Sequence, residues 1–171
     1  MLFPGDTAVA ISRSIGRGIA GFARAFDRLK PDMLLLLGDR FEIFAAAVAS
    51  FIARIPIAHI SGGELSEGVI DDALRHSITK MSLLHFVSTD EYKRRVVQLG
   101  ESPDRVFNFG AIGVGNLEKV RLLSKSSLER ELGFKFGGKT VLVTFHPVTL
   151  EDNTSGKQFK VLLSALDSIP G

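Results

Sequence analysis

The strongest constraint on this chain is a set of short, continuous apolar runs, each closing on a polar or glycine-containing loop. Residues 33–37 (MLLLL) lead into Gly38-Asp39-Arg40, residues 55–60 (IPIAHI) into Ser61-Gly62-Gly63-Glu64, and residues 84–88 (LHFVS) into Thr89-Asp90. Uninterrupted apolar runs of this length read as strands covered on both faces of a parallel sheet, because half-exposed strands alternate. Between them the spacing turns helical. Ile11, Ile15, Ile19, Phe22, Phe26 and Leu29 recur three and four apart, after a possible cap at Asp6 or Thr7 and before Pro31. Helices are also predicted over 41–53, 70–81 and 91–99, the last capped by Thr89 or Asp90 and stopped at Gly100.

Further along, 106–109 reads as a strand and 112–123 as a helix. A helix over 126–132 opens on Ser126, three residues before Glu129, as in a capping box. A fifth strand is expected over 140–145, ending at His146-Pro147, followed by an amphipathic helix over 157–169. Strand and helix alternate with short connections, which predicts an α/β protein with a doubly wound, mainly parallel sheet. The break at 133–138 follows two helices with no strand between them. It suggests one domain over 1–136 and the beginning of a second over 137–171.

Composition narrows the function classes. The formal net charge is +2 over 171 residues, which argues against a nucleic-acid partner. There is no cysteine, so disulfides, thiolate nucleophiles and cysteine metal sites are excluded. No apolar run is long enough to span a membrane, and MLFPGDTAVA lacks the basic start and apolar core of a signal peptide. The cytoplasm is the expected compartment.

In sheets of this kind ligands gather outside the carboxyl ends of the strands. Asp39, the loop from Ser61 to Glu64, and His146 all follow predicted strands there, although Asp39 is equally suited to capping the next helix. Gly62 and Gly63 allow close backbone approach to a ligand, or simply make a turn; neither a P-loop nor a GxGxxG pattern surrounds them. Asp71–Arg75 and Asp72–His76 are four apart and can pair on one helix face, with Ile70, Leu74 and Ile78 buried on the other. His85 reads as a core histidine and His59 is open between core and site. A metal set drawn from His59, His76 and Asp71 matches no familiar spacing, and no metal or cofactor is expected.

Taken in order, LLGDRFE, PIAHISGGE, GVIDDALRHSITKMS, LLHFVSTDEYKRRVVQLGE and VLVTFHPVT resemble the hydrolysing UDP-N-acetylglucosamine 2-epimerase family over essentially the whole chain. The resemblance implies a Rossmann-like half of a GT-B architecture and a UDP-sugar substrate. It implies anti elimination of UDP to a glycal, followed by hydration to N-acetylmannosamine, in sialic acid synthesis. Relatives acting on UDP-2,4-diacetamido-trideoxyhexoses form an alternative, and an inert nucleotide-sugar-binding module a second one. By resemblance Asp39 and Asp71 match catalytic carboxylates, and Arg75 and His76 an active-site helix. His146 matches a histidine near the diphosphate. Ser61 stands where relatives carry Glu or His, and serine is no proton-accepting carboxylate; Glu64 is the substitute. Gly62 and Gly63 join the substrate-binding set. The family further implies a homo-oligomer in the full-length parent. Met1 reads as an internal start and Gly171 as an early point in the second domain, so the chain is expected to be a fragment.

Overall fold

The computed structural model describes residues 7–117, 119–138, 140–147 and 154–169. Two compact units divide the chain, Met1–Gly115 and Asn116–Gly171; the boundary expected at 136/137 falls inside the second.

In the first unit the apolar runs become strands β1 (Leu34–Leu37), β2 (Ile57–Ile60), β3 (Leu84–Val87) and β4 (Val106–Asn108). They form one parallel sheet in the order β1-β2-β3-β4. The helices are α1 (Ala8–Leu29), α2 (Phe41–Ile52), α3 (Asp71–Met81) and α4 (Asp90–Gln98). The parallel α/β architecture expected from the alternation is therefore present. Thr7, not Asp6, is the α1 cap that lies within the described residues, its hydroxyl accepting from the Ala10 amide at 3.2 Å. Thr89 caps α4, accepting from Tyr92, and Gly100 ends that helix with φ +94°.

Consecutive strand order combined with right-handed crossovers carries α2, α3 and α4 to the same side of the sheet. The core lies there. Leu36 and Ile57 pack with Ala46, Ala47 and Ile78, and Val87 and Val106 pack with Val96. Small residues along α2 let α1 settle on it: a Cβ on Gly18 would stand 3.0 Å from the Ala45 Cβ. This corrects the reading of 33–37 as a strand buried on both faces. Leu36 is buried, whereas Leu35 is 64% and Leu37 56% exposed on the opposite face. That face continues through Phe86, Phe107 and Phe109, whose ring centres lie 5.7 to 6.1 Å apart. An uninterrupted leucine run cannot report which of its faces will be covered.

The second unit contains α6 (Lys125–Leu132) and α7 (Ser155–Asp167), while α5 (Ile112–Leu117) lies across the division. From residue 107 onward no described residue is buried. Three expectations change here. The helix predicted over 112–123 covers Ile112–Leu117, and residues 119–123 are not helical. The cap of α6 is Ser124, whose hydroxyl accepts from Ser127, and Glu129 instead accepts from the Phe136 amide at 2.9 Å rather than closing a box with Ser126. Residues 140–147 form no strand, since a parallel strand exists only where a neighbour completes its ladder and none does so among the described residues. Phe145 packs instead beside Phe159, ring centres 5.6 Å apart.

Ile78 is wholly buried at the meeting of α3, α2 and the sheet. Ile78→Ala is expected to cost about 2–5 kcal/mol of unfolding free energy, measured by urea denaturation.

Candidate active site

The carboxyl ends of β1, β2 and β3 share one rim of the sheet, as parallel pairing requires. At the end of β1, Gly38 takes φ +87° and turns the chain into Asp39. Arg40, not Asp39, stands at the N-cap of α2, with no side-chain capping bond. The Asp39 carboxylate is used otherwise: it accepts from Nη2 of Arg75. Arg75 lies on the buried face of α3 with Ile78 and Thr79. Its side chain is 7% exposed and that of Asp39 19%. The same Nη2 donates to the Ser66 hydroxyl at 3.0 Å. Nε and Nη1 of Arg75 are buried and have no partner among the described residues.

The sequence expectation of an Asp71–Arg75 pair and a free charged face on α3 is thus corrected. Arg75 turns inward because a carboxylate on another element meets it, which is the condition for burying a guanidinium. The Asp72–His76 pair does form, at 3.6 Å, and Asp72 also accepts from the Ser66 amide at 2.8 Å. Ser66 therefore links Arg75 to Asp72. Asp71 and Asp72 both occupy the first turn of α3, where the helix dipole favours negative charge.

The loop after β2 is held by close packing. Ser61 adopts φ +66°, a left-handed conformation uncommon outside glycine, and its amide donates to the Phe86 carbonyl at 2.9 Å. A Cβ on Gly62 would lie 3.1 Å from Thr79 Oγ1 and 3.2 Å from His59 Nδ1. One on Gly63, at φ +79°, would lie 2.5 Å from the Tyr92 carbonyl oxygen. Both glycines are buried against protein. Arg95 of α4 donates to the Gly63 carbonyl and to Glu91, and its guanidinium lies 5.4 Å from the Tyr92 ring centre. Nothing in the sequence pattern singled Arg95 out, since its helix reads as an ordinary charged one. Glu64 accepts from the Ser88 hydroxyl at 3.2 Å. Ser61, Glu64 and Ser88 line a recess of about 450 Å³ whose apolar walls include Leu37, Ile60, Phe86 and Phe109.

The structure accordingly groups Asp39, Arg75, Ser66, Asp72 and His76 in one connected set. Ser61, Glu64 and Ser88 form a second on the same rim. His146 is exposed and belongs to the second unit. His59 falls in the core with both ring nitrogens engaged, which removes it from any set with His76 and Asp71. His85 is fully buried, with Nε2 3.2 Å from Glu101 and Nδ1 unpartnered among the described residues.

A family model described as UDP-N-acetylglucosamine 2-epimerase matches residues 2–170. The chain belongs to that family. It is 41% identical over 169 residues to a GDP/UDP-N,N'-diacetylbacillosamine 2-epimerase (hydrolyzing) of Campylobacter jejuni, covering 99% of this chain and 44% of that protein. It is 35% identical over 168 residues to a UDP-N,N'-diacetylbacillosamine 2-epimerase (hydrolyzing) of Legionella pneumophila, covering 96% and 44%. The crystal structure of UDP-GlcNAc 2-epimerase from Neisseria meningitidis, bound to UDP-GlcNAc, shares the fold with a TM-score of 0.66. It is 23% identical and covers 78% of this chain and 38% of that one. This chain thus spans less than half the length of these relatives. Among its described residues no helix is long and apolar enough to cross a membrane.

Burial pushes the His59 imidazole down to about 4 from an ordinary 6.5; His85 and Arg75 add to this, and the Gly38 carbonyl and Asp39 oppose it. His85 is lowered as well, chiefly by burial, against the pull of Glu101. Above pH 6.5 both folded and unfolded forms of His59 are neutral and its contribution to stability is complete. As pH falls from 6.5 towards 4, the unfolded chain binds a proton that the folded chain refuses, so stability declines. Urea midpoints between pH 7 and pH 4.5 should fall more steeply for the wild type than for His59→Gln, by a slope equivalent to about one proton.

Proposed function

We propose that this rim is the acid–base portion of a hydrolysing 2-epimerase acting on a UDP-linked 2-acetamido sugar, with UDP-N-acetylglucosamine as the first reading. The observation that carries it is the Asp39–Arg75 pair, a carboxylate at a strand end held in fixed aim by a buried guanidinium. In the reaction, a base removes the C2 proton while the C1–O bond breaks and UDP departs with the electron pair, leaving a glycal. Water then adds at C1 and a proton returns to C2 from the opposite face, giving N-acetylmannosamine and UDP. Asp39 and Asp71 are assigned the proton transfers, with Glu64 on the neighbouring loop supplying the carboxylate that Ser61 lacks. Arg75, His76 and His146 are assigned to the sugar nucleotide, with Gly62 and Gly63 shaping the loop beside it. The unpartnered Nε and Nη1 of Arg75 are donors that a ligand oxygen would satisfy. The reading carries with it a cytoplasmic, homo-oligomeric parent.

A second reading replaces the sugar with a 2,4-diacetamido-trideoxyhexose. Its support is the apolar recess beside Glu64, suited to a methyl at C6 and a second acetamido methyl, together with the names of the Campylobacter and Legionella relatives.

The test is a chimera in which residues 2–170 replace the matching stretch of the Campylobacter relative. It is incubated in deuterium oxide with UDP-N-acetylglucosamine or UDP-N,N'-diacetylbacillosamine. UDP release with deuterium at C2 of the product is expected from the chimera and not from the 171-residue chain alone. Asp39→Asn, which keeps an acceptor for Arg75, should lower the rate by about 100-fold or more. A folded chimera that binds either sugar nucleotide without releasing UDP would instead mark an inert binding module.

A further inference from the structure

We propose that His59 is a positioning residue that sets the aim of Asp39 through the peptide preceding it. The proposal rests on the acid–base reading of Asp39. β2 directs His59 onto the helix-covered face of the sheet, where it is fully buried. Nε2 lies 2.9 Å from the Gly38 carbonyl oxygen and Nδ1 3.2 Å from Thr79 Oγ1. A carbonyl oxygen only accepts, so Nε2 carries the hydrogen; Nδ1 of the neutral ring then accepts from the threonine hydroxyl.

The other end of this relay is on α3. Thr79 follows Arg75 by one helical turn, so the two side chains share a face, and both are buried. α3 therefore holds the Gly38–Asp39 turn at two points. Arg75 takes the carboxylate directly, and Thr79, through His59, takes the carbonyl of the residue before it. Two points are needed because Gly38, at φ +87°, has the backbone freedom to turn its peptide, and with it the direction of Asp39. Gly62 leaves the relay its space, since a side chain there would crowd both His59 Nδ1 and Thr79 Oγ1.

Nitrogen-15 and carbon-13 NMR of the 171-residue chain tests this without substrate. The wild type should show His59 as the neutral Nε2–H tautomer between about pH 5.5 and 8. Arg75 should give separate, slowly rotating Nη signals, assigned by their loss in Arg75→Lys. His59→Leu, which fills the space without a donor, should merge the Arg75 signals. His59→Gln, whose amide can still donate to the Gly38 carbonyl, should restore them, whereas a role in packing alone predicts no such rescue. An Nδ1–H tautomer in the wild type overturns the proposal even if His59→Leu fails to fold. Arg75 signals unchanged in His59→Leu, or unrestored in His59→Gln, also overturn it. Absence of UDP release in any variant bears on the proposed reaction and leaves this geometry intact.

Discussion

The buried contact between Arg75 and Asp39 joins residues 36 apart in the chain and ties the end of the first strand to the third helix. Taking a guanidinium out of water costs several kcal/mol, and a single ion pair does not reliably recover it. Here the arginine also meets Ser66, whose amide is in turn held by Asp72. The loop leading into α3, the first turn of α3 and the turn after β1 are thereby fixed against one another. Loss of either charge would leave the other stranded in a poorly solvated place, so the contact specifies a geometry more than it adds stability. The family's chemistry, if this rim performs it, depends on that kind of rigidity, because a base displaced by an ångström loses its line to the proton.

Much of the framework was legible in the sequence, for identifiable reasons. β1–β4 and α2–α4 all fall within a residue or two of their expected spans, because apolar run length, Thr89 and Gly100 are local signals. The partners of charged residues were less legible. Spacing offered Asp71 as the natural mate of Arg75, yet the fold supplied Asp39, and no periodicity encodes a contact that exists only after the sheet closes. The half-exposed β1 failed for the same reason: its four leucines are alike, and only the direction in which the strands add decides which of them face helices. Ser124 took the cap expected of Ser126 because three serines cluster there, at 124, 126 and 127, and competing caps differ by less than propensity can resolve.

The glycine loop illustrates how one motif admits two explanations. Glycines beside a strand end suggest close approach to a ligand. Here the close approach is to Thr79, His59 and the backbone of Tyr92, with Arg95 bracing the loop from α4. The loop's shape is thus a property of the scaffold, and Ser61 and Glu64 are presented at the recess because the residues between them cannot move away from α3 and α4.

The left-handed backbone at Ser61 carries an evolutionary consequence. At φ +66° the position disfavours β-branched side chains and is most easily occupied by glycine, asparagine or aspartate, with serine an acceptable compromise. Genetic drift at this site is therefore filtered by conformation before it is filtered by chemistry. The loop's anchor at this point is the Ser61 amide on the Phe86 carbonyl, a backbone bond that any residue tolerating this conformation can make.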